Sequence, residues 1–163
     1  MSRESIVVDV ARFLDRLETT QEALLALYGL KRTALTRARS QELHELAERE
    51  AGLGRELEEI LRERRGILRC GQADGLPSGS IADLVTALTG GREGVLTDRV
   101  AQARSRTETL RRESWIHWII AQRAYNHCST VIDLIAHRGE RPVTYTQGAS
   151  DGGSGGAILD ASA

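Results

Sequence analysis

The histidines are the side chains of this chain best suited to holding a metal ion. Residues 44–48 read His-Glu-Leu-Ala-Glu, which lacks the second histidine of the HExxH zinc motif. A di-iron helical bundle needs a glutamate three residues before a histidine, and none of the 4 histidines has one. His117, His127 and His137 recur at ten-residue steps, which turn a helix by about 1000°, so their rings point in different directions. We therefore expect no metal and no cofactor.

A nucleophile or a nucleotide-binding loop is not indicated either. His127 and Cys128 are neighbours on a predicted helix, where adjacent side chains diverge by about 100° and make a poor nucleophile–base pair. Cys128 continues a heptad of apolar positions, which predicts a buried and inert thiol. The glycine-rich run at 90–94 lacks the GK[ST] ending of a P-loop and is more typical of a helix end. We therefore expect that the chain is not an enzyme.

The composition is typical of one soluble domain. Of the 163 residues, 28% are charged and 40% hydrophobic, and the net charge of −1 gives no basic excess for binding nucleic acid. The longest strongly apolar stretch, 115–121, is too short to span a bilayer, and residues 1–5 lack the apolar core of a secretory signal. Cys70 and Cys128 form neither a CxxC motif nor a disulfide framework. We expect a cytoplasmic protein without nucleic-acid partner or membrane insertion.

Apolar residues follow heptad steps in two stretches that a polar break near Ser40 separates. The first stretch runs from Ile6 to Leu35 and the second from Leu43 to Ile67. Such spacing keeps one stripe of each helix facing a partner, so it predicts two long helices that pair as an antiparallel hairpin. The leucines expected to be buried in the seams of the bundle are Leu24, Leu53, Leu57 and Leu110.

Serine and glycine residues indicate where the helices begin and end. Ser40 is the expected N-cap of the second helix, and Gly71 is the expected residue just after its last turn. Ser80, followed three residues later by Asp83, resembles a capping box and predicts the start of a short helix. The predicted helices cover about 3–38, 40–70, 81–88 and 95–137.

The predicted fold is all-α, an elongated antiparallel helical bundle or coiled coil of three long helices plus one short helix. We assign residues 1–138 to this helical bundle. Residues 139–163 differ in composition, because 148–156 is rich in glycine and serine. This composition predicts a flexible C-terminal tail.

The second half of the last helix carries more apolar side chains than one seam can bury. Trp115, Ile116, Trp118, Ile119 and Ile120 lie on almost every side of it. Either this helix packs between the first two and the aromatic side chains cover the bundle end, or a second apolar face receives a partner or another copy of the chain. A homodimer is therefore possible. The second alternative predicts a cargo-binding surface made of Trp115, Trp118, Ile119, Gln122, Tyr125 and Asn126.

Several stretches resemble the FlgN family of flagellar export chaperones, as does the order of three long helices and one short helix. Tyr145 and Gly148 look like that family's Tyr-x-x-Gly element after the last helix, and Ile158-Leu159-Asp160 looks like its C-terminal ending. Three more regions carry the resemblance. They are 22–27 together with 35–50, the leucine- and arginine-rich stretch 57–65, and the region from Asn126 to 135.

The resemblance implies a cytosolic type III export chaperone. Such proteins bind the helical C-terminal segments of hook–filament junction proteins, prevent premature assembly, and deliver this cargo to the export gate. The implied partners are flagellar hook-associated junction proteins and a membrane export-gate protein, for which Tyr145 is the expected contact. One alternative is a structural coiled-coil adaptor protein without an export role. Another is a four-helix-bundle enzyme or metal carrier, which the missing Glu-x-x-His motifs argue against.

Overall fold

A computed structural model describes residues 3–136 as four α-helices, and this part of the chain contains no β-strand. The predicted all-α fold is therefore confirmed. The predicted domain boundary at 138, the tail at 139–163, His137 and Tyr145 lie outside the described residues. The helices are α1 (Arg3–Thr36), α2 (Ser40–Ala73), α3 (Ile81–Thr89) and α4 (Val95–Ala136).

The chain divides into two compact units, and the division falls within α4, after Arg123. The first unit holds α1, α2, α3 and α4 as far as Arg123. In the second unit the structure describes Ala124–Ala136, the last part of α4. None of the helices within residues 3–136 combines the length and the hydropathy that crossing a bilayer requires.

The α1–α2 hairpin is antiparallel, as the heptads predict. Arg16 of α1 pairs with Glu63 of α2 at 2.8 Å, whereas Lys31, further along α1, pairs with the earlier Glu50 at 2.5 Å. The expected N-cap is wrong by one residue, because Arg39 holds that position and its carbonyl accepts the hydrogen bond from the Leu43 amide at 3.1 Å. Since the Arg39 side chain makes no cap hydrogen bond, the start of α2 depends on packing rather than on a local N-cap signal.

Gly71 does not end α2 as the sequence predicts. The helix continues to Ala73, and the left-handed backbone that favours glycine occurs later, at Gly75 with φ of 73°. Gly71 is instead buried beneath α3, where an added Cβ would lie 2.7 Å from Cδ1 of Leu84. The glycine therefore makes room for the buried Leu84 where α3 approaches α2, and it does not form a turn.

The short helix α3 begins as predicted. The hydroxyl of Ser80 accepts a hydrogen bond from the Asp83 amide at 3.1 Å and donates one to its carboxylate at 2.8 Å. At the other end Gly90 and Gly91 have φ of 64° and 76°, which lets the chain turn into α4. The apolar side of α3 joins the core through Ile81, Leu84 and Val85.

The first unit has two buried apolar clusters. Leu24 is buried as predicted, but Leu53, Leu57 and Leu110 are only half-buried, so the prediction of full burial is wrong for these three. The larger cluster comprises Ile6, Val10, Phe13, Leu14, Ile60, Ile67, Leu76, Ile81, Leu84, Val85 and Ala103. The smaller cluster comprises Leu27, Tyr28, Ala34 and Leu46.

α4 runs parallel to α1 and is held to it by long charged side chains. Asp15 pairs with Arg99 at 2.6 Å, Glu18 pairs with Arg106, and Arg32 pairs with Glu113, so residue numbers rise together along both helices. Apolar contacts accompany these ion pairs, because Ala103 of α4 belongs to the larger buried cluster and Val100 packs against it.

Candidate functional site

Two tryptophans form an exposed aromatic pair on α4. Trp115 and Trp118 expose 60% and 55% of their surface, and their rings stack with centroids 5.0 Å apart and planes 20° apart. Charged side chains of the same helix, Glu108, Arg111 and Arg112, line a shallow depression beside the two rings. This arrangement places a large apolar surface inside a charged rim, as at many protein interfaces.

The structure places the six predicted cargo-binding residues in both units. Trp115 and Trp118 are in contact, Ile119 is half-buried, and Gln122 is exposed, all within the first unit. The other two, Tyr125 and Asn126, are exposed and belong to the second unit. The predicted export-gate contact, Tyr145, lies outside the described residues.

Every described residue of the second unit is exposed. Its apolar members are Tyr125, Val131, Ile132, Leu134 and Ile135. Cys128 is exposed too, so the predicted burial of its thiol is wrong. The heptad pattern does continue here, but the described part of this unit, 124–136, is one helix, and one helix alone cannot bury its own apolar stripe.

His117 faces away from the tryptophans and is buried, with 7% of its surface exposed. Its ring packs against Tyr28 with centroids 5.1 Å apart, and the ammonium of Lys31 lies 5.8 Å from the centroid of that tyrosine ring. Burial, and then the positive charge of Lys31, lower the pKa of His117 below its ordinary value of 6.5, while Glu113 opposes them. Burial also raises the pKa of Tyr28. The cluster therefore favours a neutral imidazole, which acts here as a packing group.

An apolar cleft of about 570 Å³ lies between α2 and α4, with α1 as its floor. It separates side chains that the heptad analysis expects to meet in a closed seam. The cleft is lined by Phe13, Leu14, Leu17, Gln21, Leu24, Tyr28, Leu57, Ile60, Leu61, Arg64, Ile81, Val100, Ala103, Arg104, Thr107, Leu110, Arg111 and Ser114.

The cleft exists because the inner stripe of α4 carries small side chains. Ala103, Thr107 and Ser114 occupy positions where leucines would fill the space between helices. Gln21 of α1, which is 2% exposed, bridges the gap by donating hydrogen bonds to the Ala103 carbonyl and the Thr107 hydroxyl, both at 2.9 Å. This cleft was not predicted from the sequence. The small residues at heptad positions of α4 could have indicated it, because they leave space between helices.

All charged side chains that line the cleft are arginines. Arg104 pairs only weakly with Glu108 on its own helix, at 3.8 Å between two exposed groups. Arg64 and Arg111 form no ion pair with any residue between 3 and 136. Within residues 3–136, the cleft therefore combines apolar walls with positive charge that only one weak ion pair offsets.

A metal centre is not among the sites of the described chain, since residues 3–136 contain no group of three or more histidine, cysteine or acidic side chains placed to hold an ion. Comparison of the chain with protein-family models, curated protein sequences and solved structures finds no match. The function must therefore be inferred from the two apolar surfaces, the tryptophan pair and the cleft.

Proposed function

We propose that this chain is a cytoplasmic type III export chaperone. It binds the helical C-terminal segments of flagellar hook–filament junction proteins, keeps them from assembling early, and delivers them to the membrane export gate. The resemblance at 22–27, at 57–65 and around Tyr145 and Gly148 suggests this role. The structural observation that carries the proposal is the exposed stack of Trp115 and Trp118.

The tryptophan pair has the properties of an interface anchor. The chain has only 2 tryptophans, and both lie side by side with more than half of their surface in water. Covering such rings removes apolar area from water at roughly 25 cal/mol per Å², and tryptophan is enriched among the residues that dominate binding energy. An amphipathic helix laid along α4 would cover both rings with a few apolar side chains spaced three and four residues apart.

A binding measurement with purified components tests this role. The wild-type chain is titrated with the C-terminal segment of a junction protein from the same cell, followed by calorimetry. We expect Trp118→Ala to weaken binding about tenfold or more, because losing an anchor of this kind costs at least about 1.4 kcal/mol. Its melting temperature should change little, because Trp118 is not part of the core.

Val95→Ala is the matched control, since Val95 is 76% exposed at the start of the same helix. We expect this variant to bind like the wild-type chain. Equal binding by the Val95 and Trp118 variants would exclude the tryptophan pair as the capture surface. If no junction-protein segment binds the wild-type chain, the chaperone proposal is wrong, and a coiled-coil adaptor without an export role becomes the better hypothesis.

A further inference from the structure

We propose that the cleft between α2 and α4 receives an amphipathic helix whose apolar stripe is flanked by acidic side chains. The proposal rests on the proposed function in assigning this helix to the client protein. It adds a second contact site, which adjoins the tryptophan pair at Arg111 and Ser114, and the charge that the client must carry.

The arrangement of the long helices leaves room for another helix in the first unit. Every ion pair between α1, α2 and α4 in this unit has α1 as one partner, so α1 is the central helix and the other two flank it. Side chains of α2 and α4 line opposite sides of the cleft, over α1. A helix laid over α1 between these two would complete a four-helix arrangement.

The walls of the cleft match the length and the polarity of a short amphipathic helix. On α4 the lining runs from Val100 to Ser114, which at 1.5 Å per residue is about 21 Å, or roughly four turns of a client helix. Leu57 and Leu110 are half-buried and Leu61 is 46% exposed, so they offer unfilled apolar surface. The cleft is partly open to solvent, which suits a helix that inserts only its apolar stripe better than an acyl chain that needs full enclosure.

The charges of the cleft decide what must flank the client's apolar stripe. Basic side chains between α1 and its neighbours, such as Arg16 and Arg106, already meet carboxylates. By contrast, the cleft is lined by Arg64, Arg104 and Arg111, and no acidic residue between 3 and 136 lines it. Acidic flanks on the incoming helix would pair with these arginines and would disfavour basic helices, which is how interfaces obtain specificity from charge.

The test uses two synthetic 18-residue peptides with the same leucine heptad and either glutamates or lysines at the flanking positions. Binding to the full-length chain is followed by fluorescence anisotropy. We expect the glutamate peptide to bind at least about tenfold more tightly than the lysine peptide at low salt, and this preference should shrink as salt screens the charges.

Leu61→Glu introduces a negative charge into the cleft at an exposed position, so the variant should fold. Leu30→Glu is its matched control, because Leu30 is 49% exposed on α1 and does not line the cleft. We expect the Leu61 variant to lose most of its affinity for the glutamate peptide and the Leu30 variant to keep it. If the Leu61 and Leu30 variants bind the glutamate peptide with equal affinity, the proposal is overturned.

Charge reversal provides a second, independent test. In the double variant Arg64→Glu with Arg111→Glu, we expect the preference to switch to the lysine peptide, while circular dichroism confirms an unchanged helix content. A retained preference for the glutamate peptide would overturn the proposal. So would binding of laurate, but of neither peptide, because the cleft would then be a fatty-acid site.

The same variants separate this inference from the proposed function. If junction-protein binding fails in Trp118→Ala and is unchanged in Leu61→Glu, the chaperone role stands and the cleft proposal is wrong. If no junction protein binds but the peptide results hold, the cleft binds acidic helices and the assignment of the client is wrong.

Discussion

His117 and its two tryptophan neighbours show how the position of a residue on the helix outweighs its hydrophobicity. Ala103, Leu110 and His117 are seven residues apart, so they lie along the side of α4 that faces α1. Trp115 and Trp118 point elsewhere and remain exposed although they are more apolar than the histidine. A buried polar ring beside exposed aromatic rings is an arrangement that favours binding over maximal stability.

The burial of His117 predicts an acid-sensitive fold. Because the pKa of His117 is lower in the folded protein than its ordinary value of 6.5, the unfolded chain binds more protons below that pH. Stability should therefore fall as the pH drops below about 6.5. We expect the free energy of unfolding, measured with urea, to fall less between pH 7.5 and pH 5.5 in His117→Phe than in the wild-type chain.

His44→Gln is the control for this experiment, because His44 lies exposed on α2, 3.8 Å from Glu48. Its acid sensitivity should match that of the wild-type chain. Lys31, Arg32, Glu113 and Tyr28, the groups that act on the pKa of His117, are unchanged in both variants. If His117→Phe loses as much stability at pH 5.5 as the wild-type chain does, another group controls the acid response.

Among the helices, Gly71 sets how closely α3 can approach α2. In Gly71→Ala the new Cβ would overlap the buried Leu84, which should lower the free energy of unfolding by about 1–3 kcal/mol. The higher helix propensity of alanine offsets part of this loss. Gly54→Ala, in the middle of the same helix with no atom within 4 Å of the added Cβ, should instead stabilise by roughly 0.5–1 kcal/mol. Urea unfolding of both variants measures these changes. A similar rise in the free energy of unfolding in both would mean that α3 moves aside at little cost.

The sequence predicted the helices well but not the spacing between them. Heptad periodicity gave the α1–α2 hairpin, and Ser80 with Asp83 gave the start of α3, because these signals are local. Heptad periodicity predicts which face of a helix a side chain occupies, but it does not predict the distance to the helix opposite that face. The distance between α1 and α4 depends on Ala103 and Thr107 and on the bridging Gln21, and these contacts form between residues more than eighty positions apart. This is why the cleft and the partial exposure of Leu57 were missed.

In the whole molecule, the tryptophan pair and the cleft lie in the first unit, whereas Tyr145 lies outside the described residues. Because the proposed capture and delivery roles fall on different residues, we expect that a single substitution can uncouple them. Tyr145→Ala should bind a junction protein like the wild-type chain but export less of it, because a tyrosine offers an apolar ring and a polar tip for docking on another protein.

Cargo binding by the purified chain and cargo secretion by cells are measured separately for Tyr145→Ala. Trp118→Ala serves as the opposite case, since a chaperone that fails to capture cargo should also fail to export it. Equal loss of binding and export in Tyr145→Ala, or loss of neither, would remove the proposed delivery role of this residue.

The docking of α4 on α1 through arginine and glutamate side chains has a mechanical consequence. Closely packed helices can slide only by exchanging one interlocked arrangement for another. Long side chains have several rotamers of similar energy, so Arg99 and Arg106 can follow a small displacement of α4 while keeping a carboxylate within reach. We therefore expect that the wall formed by α4 can shift slightly to fit client helices of different width without a rearrangement of the α1–α2 hairpin.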